Sequence, residues 1–198
     1  MIYEDYLKVA LKHLRTCEYL KDNLSRVNHI EKKDAILRNL YYLCGYVLEG
    51  IINYGIYKTY YNSTPNQPVK PVFYQIPTTN NWLCYNFPND REKRNNPILA
   101  SVRNWTYRIA GHEYMKNKEF IRNKLNAIPP SSFSHINILR SPTHSNSMLA
   151  RLFHSWDVEV RYQANNSSTN SSINYSETDI VAFFEFVKET YRVLPNLL

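Results

Sequence analysis

The chain has 198 residues and a mass of 23.5 kDa, enough for one domain with a sizeable core and too little for two. Its net charge is +7 with a pI near 9.2, and the 24 Lys and Arg are spread along the chain with a modest concentration from Arg91 to Lys124. That balance permits a polyanionic partner without requiring one. Three cysteines, Cys17, Cys44 and Cys84, are odd in number, widely spaced and set among apolar neighbours, which supports neither a disulfide framework nor a Cys-x-x-Cys zinc or redox site.

The N-terminal stretch is charged from Glu4 onward and lacks an apolar core, so the expected location is the cytoplasm. In that compartment the seven Asn-x-Ser/Thr triplets reflect an Asn- and Ser-rich composition, not glycosylation. The first predicted helix runs from about Tyr3 to Leu24, with Tyr3, Leu7, Ala10, Leu14, Cys17 and Leu24 on one face. A second, with Asp34 as its N-cap, reaches about Tyr61. From Leu40 to Tyr61 it is apolar on nearly every face, as a helix wrapped by other helices should be, yet it carries one acid, Glu49. Glu49, Asn53 and Lys58 interrupt the run and exclude a membrane span. Gly45, Gly50 and Gly55 each cost about 1 kcal/mol against alanine in a helix, so another backbone, from a neighbouring helix or a symmetry mate, is expected to approach there.

From Asn62 to Asn96, five prolines exclude a long helix and the segment reads as an irregular insertion, with at most a short extended piece at Val72–Ile76. Asn96-Pro97 opens a third helix carrying Ile98, Leu99, Val102, Trp105 and Ile109, and His112 to Leu125 continues it or forms a short helix of its own. A fourth is expected from about Ser147 to Tyr162, then a polar loop over 163–176 containing an Asn/Ser tract. Ser176-Glu177-Thr178-Asp179 resembles a capping box opening the last helix, whose apolar side is Ile180, Phe183, Phe184, Val187 and Tyr191, with Pro195 closing it. The fold class is therefore all-α: an up-and-down bundle of four to five helices, one domain over 1–198, with a proline-rich insertion between helices two and three.

Signatures of catalysis are missing from the sequence. Four glycines form no phosphate loop, no His-Glu-x-x-His or Cys/His ligand set occurs, and the six histidines are scattered, so neither metal nor cofactor is expected. Cys44 sits mid-helix among apolar residues, where a thiolate is disfavoured. Tyr42, Tyr46, Glu49, Asn53 and Tyr57 fall in one stripe at helical spacing, and Trp156, Arg161 and Tyr162 lie in a downstream run whose arginine is a candidate partner for Glu49. Two readings stand side by side: a groove for a nucleotide base or peptide, and a buried network that sets helix register.

The order of a tyrosine-rich LYYLCGYVLEG helix, Gly111-His112 before a short helix, WDVEVRY, a polar loop and a final amphipathic helix resembles the HEPN superfamily, over residues 1–61 and 97–198. It is most similar to the branch associated with minimal nucleotidyltransferases and substrate-binding partners. The resemblance implies a helical bundle, often homodimeric, in RNA cleavage, toxin–antitoxin systems or defence, with a nucleotidyltransferase or antitoxin as partner and RNA or a nucleotide as ligand. The family's ribonucleases carry an arginine followed after four to six residues by a histidine. Here Arg108 with His112, Arg140 with His144 and Arg151 with His154 all have too few residues between them. Only Arg108 and His112 share a face of a predicted helix, where they would support phosphate contact and proton transfer. Family members often carry a lysine where this chain has Asn53. The expected function is thus a non-catalytic binding or partner subunit. The alternatives are a diverged metal-independent ribonuclease using Arg108 and His112, and a purely structural oligomerisation module.

Overall fold

A computed structural model of the protein describes residues 1–69, 73–75, 106–108, 148–156 and 175–197. Helix α1 spans Asp5–Asn23 and passes through a 3-10 turn, Leu24–Arg26, into extended backbone at Val27. Helix α2 spans Ile30–Tyr60. Two three-residue strands, β1 (Phe73–Gln75) and β2 (Thr106–Arg108), pair antiparallel with Tyr74 opposite Tyr107. Helix α3 is Met148–Ser155 and helix α4 is Glu177–Val193, ending in a 3-10 turn at Leu194–Asn196. Most of the described residues are helical, and the fold is all-α.

The core grows from α2. Leu40, Tyr41, Cys44, Val47, Leu48, Ile51, Ile52 and Ile56 are buried on more than one side of that helix, as its all-round apolar sequence demands. Helix α1 lies antiparallel along it: Cys17 meets Cys44, His13 meets Tyr46 and Tyr3 stacks on Tyr61. Helix α4 runs parallel to α2, since Lys33 pairs with Glu177 at their starts and Lys58 Nζ donates to the Pro195 carbonyl at their ends, 3.2 Å away. Its Phe183, Phe184 and Val187 complete the core with Leu152, Phe153 and Trp156 from α3 and the residue after it. The Tyr41 hydroxyl, buried, donates to the Leu152 carbonyl at 2.8 Å and ties α2 to α3.

Helix α2 begins four residues before the expected N-cap. Its cap position is His29, and Asp34 lies a turn inside, paired with Arg38 at i, i+4. Nothing in Ile30-Glu31-Lys32-Lys33 breaks a helix, and Glu31 in the first turn suits its positive end. At its far end Asn62 and Ser63 take positive φ, 49° and 60°, and Ser63 N–H donates to the Lys58 carbonyl. The following segment turns back onto the N-terminus: Tyr3 N–H donates to Gln67, Val69 N–H to Met1, and Asn66 N–H to the Glu4 carboxylate.

Three other expectations change. Thr106–Arg108 is a strand, not part of a helix opened by Pro97. Thr and Tyr favour extended backbone, and the short extended piece foreseen near Phe73 provides the pairing edge. Helix α3 stops at Ser155, because Trp156 leaves the helical path to insert against Gly45; the remainder of the expected segment to Tyr162 lies outside the described residues. The backbone approaching Gly50 is α1 of the same chain, not a symmetry mate: a Cβ there would sit 2.9 Å from both the Tyr6 carbonyl oxygen and Ala10 Cβ. Gly45 faces a side chain, with Trp156 Cε2 1.8 Å from where its Cβ would be. The capping box on α4 is present, Ser176 Oγ accepting from Asp179 N–H and the Asp179 carboxylate accepting from Ser176 N–H.

Candidate functional site

The helical spacing of 42, 46, 49, 53 and 57 gathers these side chains along α2, and α1 determines what they meet. At one end the Tyr42 and Tyr46 hydroxyls lie 2.9 Å apart with their rings edge to face, both half-buried. Tyr46 in turn packs edge-on against Trp156 and beside His13 of α1, with ring centroids 5.4 and 5.5 Å away. Trp156 is 1% exposed and its indole N–H donates to the Tyr42 carbonyl at 3.1 Å. It forms the floor of this cluster, and its hydrogen-bonding group faces the protein. Burial, followed by the charge of Lys12, holds the His13 imidazole below the usual histidine range.

Further along, Glu49 and Asn53 are 7% and 2% exposed, deep in the seam between helices. Tyr6 from α1 stacks on Tyr57 at 5.7 Å and shares a hydrogen bond with it. Burial raises both phenols, the Glu49 charge adding to the shift at Tyr6 and the Tyr6 and Tyr61 phenols to that at Tyr57. Near the end of the stripe, Tyr3 lies between Tyr54 and Tyr61. Of the α2 tyrosines foreseen as a groove lining, Tyr42 and Tyr46 are reached by solvent, whereas Tyr57 is buried between α1 and α2 with Tyr6.

The structure therefore brings Tyr42, Tyr46 and Trp156 together and sets Glu49 and Asn53 on the same side of α2. Arg161, Tyr162 and His112 lie outside the described residues. Arg108 is on strand β2, where neighbouring side chains alternate between faces, so the shared helical face proposed for it with His112 does not apply. His13 and Tyr6 were not singled out by sequence reasoning. The signal was present: both lie on α1 one turn from Ala10, whose buried position is marked by the apolar period of that helix.

Among the described residues no three His, Cys, Asp or Glu side chains come together as a metal-binding group, and no helix is long and apolar enough to cross a membrane. Cys44 lies 3.9 Å from Cys17, sulfur to sulfur, and burial pushes its thiol well up, away from nucleophilic character. The cluster at Tyr42, Tyr46 and His13 offers aromatic surface and groups that can donate and accept hydrogen bonds. Compared with protein-family models, curated proteins and solved structures, the chain has no match in any of the three. What fold and site define is an all-α helical domain with a tyrosine-rich seam.

Proposed function

We propose that this chain is a HEPN-like helical binding subunit, without catalytic activity of its own, in an RNA- or nucleotide-linked toxin–antitoxin or defence system. It would act as a homodimer in the cytoplasm beside a nucleotidyltransferase or antitoxin partner. The observation that carries this reading is the half-buried Tyr42–Tyr46 hydroxyl pair, 2.9 Å apart, standing on a tryptophan floor beside His13. Such a cluster stacks and hydrogen-bonds a planar ligand, while Trp156 and the inner tyrosines hold it rigidly. The net charge of +7 suits a phosphate-bearing ligand.

Incubation with single-stranded RNA, with and without divalent metal, tests the reading. Intact RNA together with salt-dependent binding is the expected outcome, since phosphate contacts release counterions. Tyr42→Ala with Tyr46→Ala should weaken RNA or nucleotide binding by about tenfold, within the range of a lost stacking platform. Cleavage abolished by Arg108→Ala or His112→Ala would instead establish a ribonuclease. A stable dimer binding neither RNA nor nucleotide would leave only a structural role.

A further inference from the structure

The outward face of α1 is distinct from the Tyr42–Tyr46 cluster. At about 100° per residue, Lys8, Lys12, Arg15 and Tyr19 fall within one narrow arc, on the side opposite the buried Ala10 and Cys17. With Leu11 and Thr16 they border an open depression of about 570 Å³. Of the acids of α1, Glu18 pairs with Lys188 of α4 and Asp22 with Lys21, both outside this arc, while Asp5 pairs with Lys8 at its N-terminal end, so Lys12 and Arg15 carry the arc's uncompensated charge. Among the described residues, no carboxylate pairs with Lys12 or Arg15. Tyr19 is 69% exposed, its ring presented to solvent beyond the cations. An amphipathic helix has no packing reason to place an aromatic ring on its charged face.

We infer that this face binds single-stranded RNA, with Lys12 and Arg15, assisted by Lys8, holding successive phosphates and Tyr19 stacking a base. The inference rests on the RNA-linked reading above and adds to the Tyr42–Tyr46 cluster a second surface, for the strand's backbone. Charge complementarity selects the occupant. Lys8 to Arg15 covers about 10.5 Å of helix axis at 1.5 Å per residue, close to the length of three steps along one stacked strand at about 3.4 Å each, a span that carries four phosphates. A flat ring one further turn along suits an unpaired base better than duplex, whose bases are already stacked.

The test is a salt titration of binding to a short fluorescent single-stranded RNA, using the full chain. Lys12→Gln/Arg15→Gln is compared with Arg26→Gln/Lys32→Gln, a pair of exposed positions that removes the same charge elsewhere. The first variant should lose at least about tenfold in affinity at low salt and flatten the plot of log K against log salt by about 1.4, two phosphates at about 0.7 each. The second should change affinity by less than about twofold. Tyr19→Ala should lower affinity for the single strand by at least about fivefold and leave heparin or duplex binding unchanged, as a lost stacking contact requires. All of these side chains are on the surface, and unchanged circular dichroism melts confirm that the fold persists.

If the parent protein binds no RNA, the RNA-linked reading fails and this surface with it. Binding that is insensitive to Lys12→Gln/Arg15→Gln overturns the surface while leaving that reading in place. An equal loss in both charge variants, or no response to Tyr19→Ala, reduces the face to unspecific charge and overturns the inference.

Discussion

A methyl group added at Gly45 would lie 1.8 Å from Trp156 Cε2, inside any tolerable contact, and the atom it meets belongs to a ring buried on all sides. Trp156 cannot withdraw without giving up its hydrogen bond to the Tyr42 carbonyl and its edge-to-face contact with Tyr46. Gly45→Ala should therefore destabilise the protein by about 3 kcal/mol, the upper part of the range for overpacking, although alanine favours the helix intrinsically. Chemical denaturation followed by tryptophan fluorescence measures this, and a neutral or stabilising effect would show that the Trp156 seat is wrong. The glycine stood out in the sequence because it breaks the helical preference of its neighbours. That it makes room for a side chain and not a backbone could not be read there, since the tryptophan is 111 positions away.

At the scale of elements, Gly50 brings α1 and α2 together through the Tyr6 carbonyl and Ala10. Gly50→Leu should separate the two helices and lower the melting temperature by the same amount at every protein concentration, because the contact lies within one chain. A loss that disappears as concentration rises would point back to an intermolecular interface. Helix α4 is held at its start by the Ser176 and Asp179 box, and the hydrogen bonds that the Ser176 hydroxyl and then its backbone N–H donate to the Asp179 carboxylate lower that carboxyl below its ordinary range. Ser176→Ala should remove about 1 kcal/mol, or roughly 2–4 °C in Tm for a chain of this size. A folded-state pKa below the unfolded value means the contribution is present above the ordinary carboxylate pKa of 3.8 and is lost as pH falls through the folded value. The difference between parent and variant should thus shrink on acidification below about pH 4; a difference independent of pH would remove Asp179 from the account.

For the whole molecule, the proposed homodimer is supported only by the HEPN-like pattern of the sequence, since the glycine contact that also suggested it is made inside the chain. Sedimentation at micromolar concentration should give a particle of twice 23.5 kDa. A monomer at all concentrations would set the dimer aside and leave the α1 face to be judged on RNA binding alone. The parallel course of α2 and α4, with α1 antiparallel against both, places the basic arc of α1 on the outside of the helical layer.

Among the described residues, the helical character, the apolar faces of α1 and α4, the capping box and the burial of most of α2 between Leu40 and Tyr57 follow from sequence alone. Each is expressed within one or two turns, where side-chain spacing and local hydrogen bonding decide the outcome. The stripe from Tyr42 to Tyr57 was legible for the same reason. Which of its members meet solvent was not: that depends on α1 bringing His13 and Tyr6 against it and on Trp156 arriving from far along the chain. The strand at Thr106–Arg108 and the end of α3 at Ser155 likewise depend on distant partners, Phe73–Gln75 for one and Gly45 for the other. Local sequence sets what each segment prefers, and only the tertiary structure decides between preferences of similar strength, because the deciding contacts join residues that no local pattern connects.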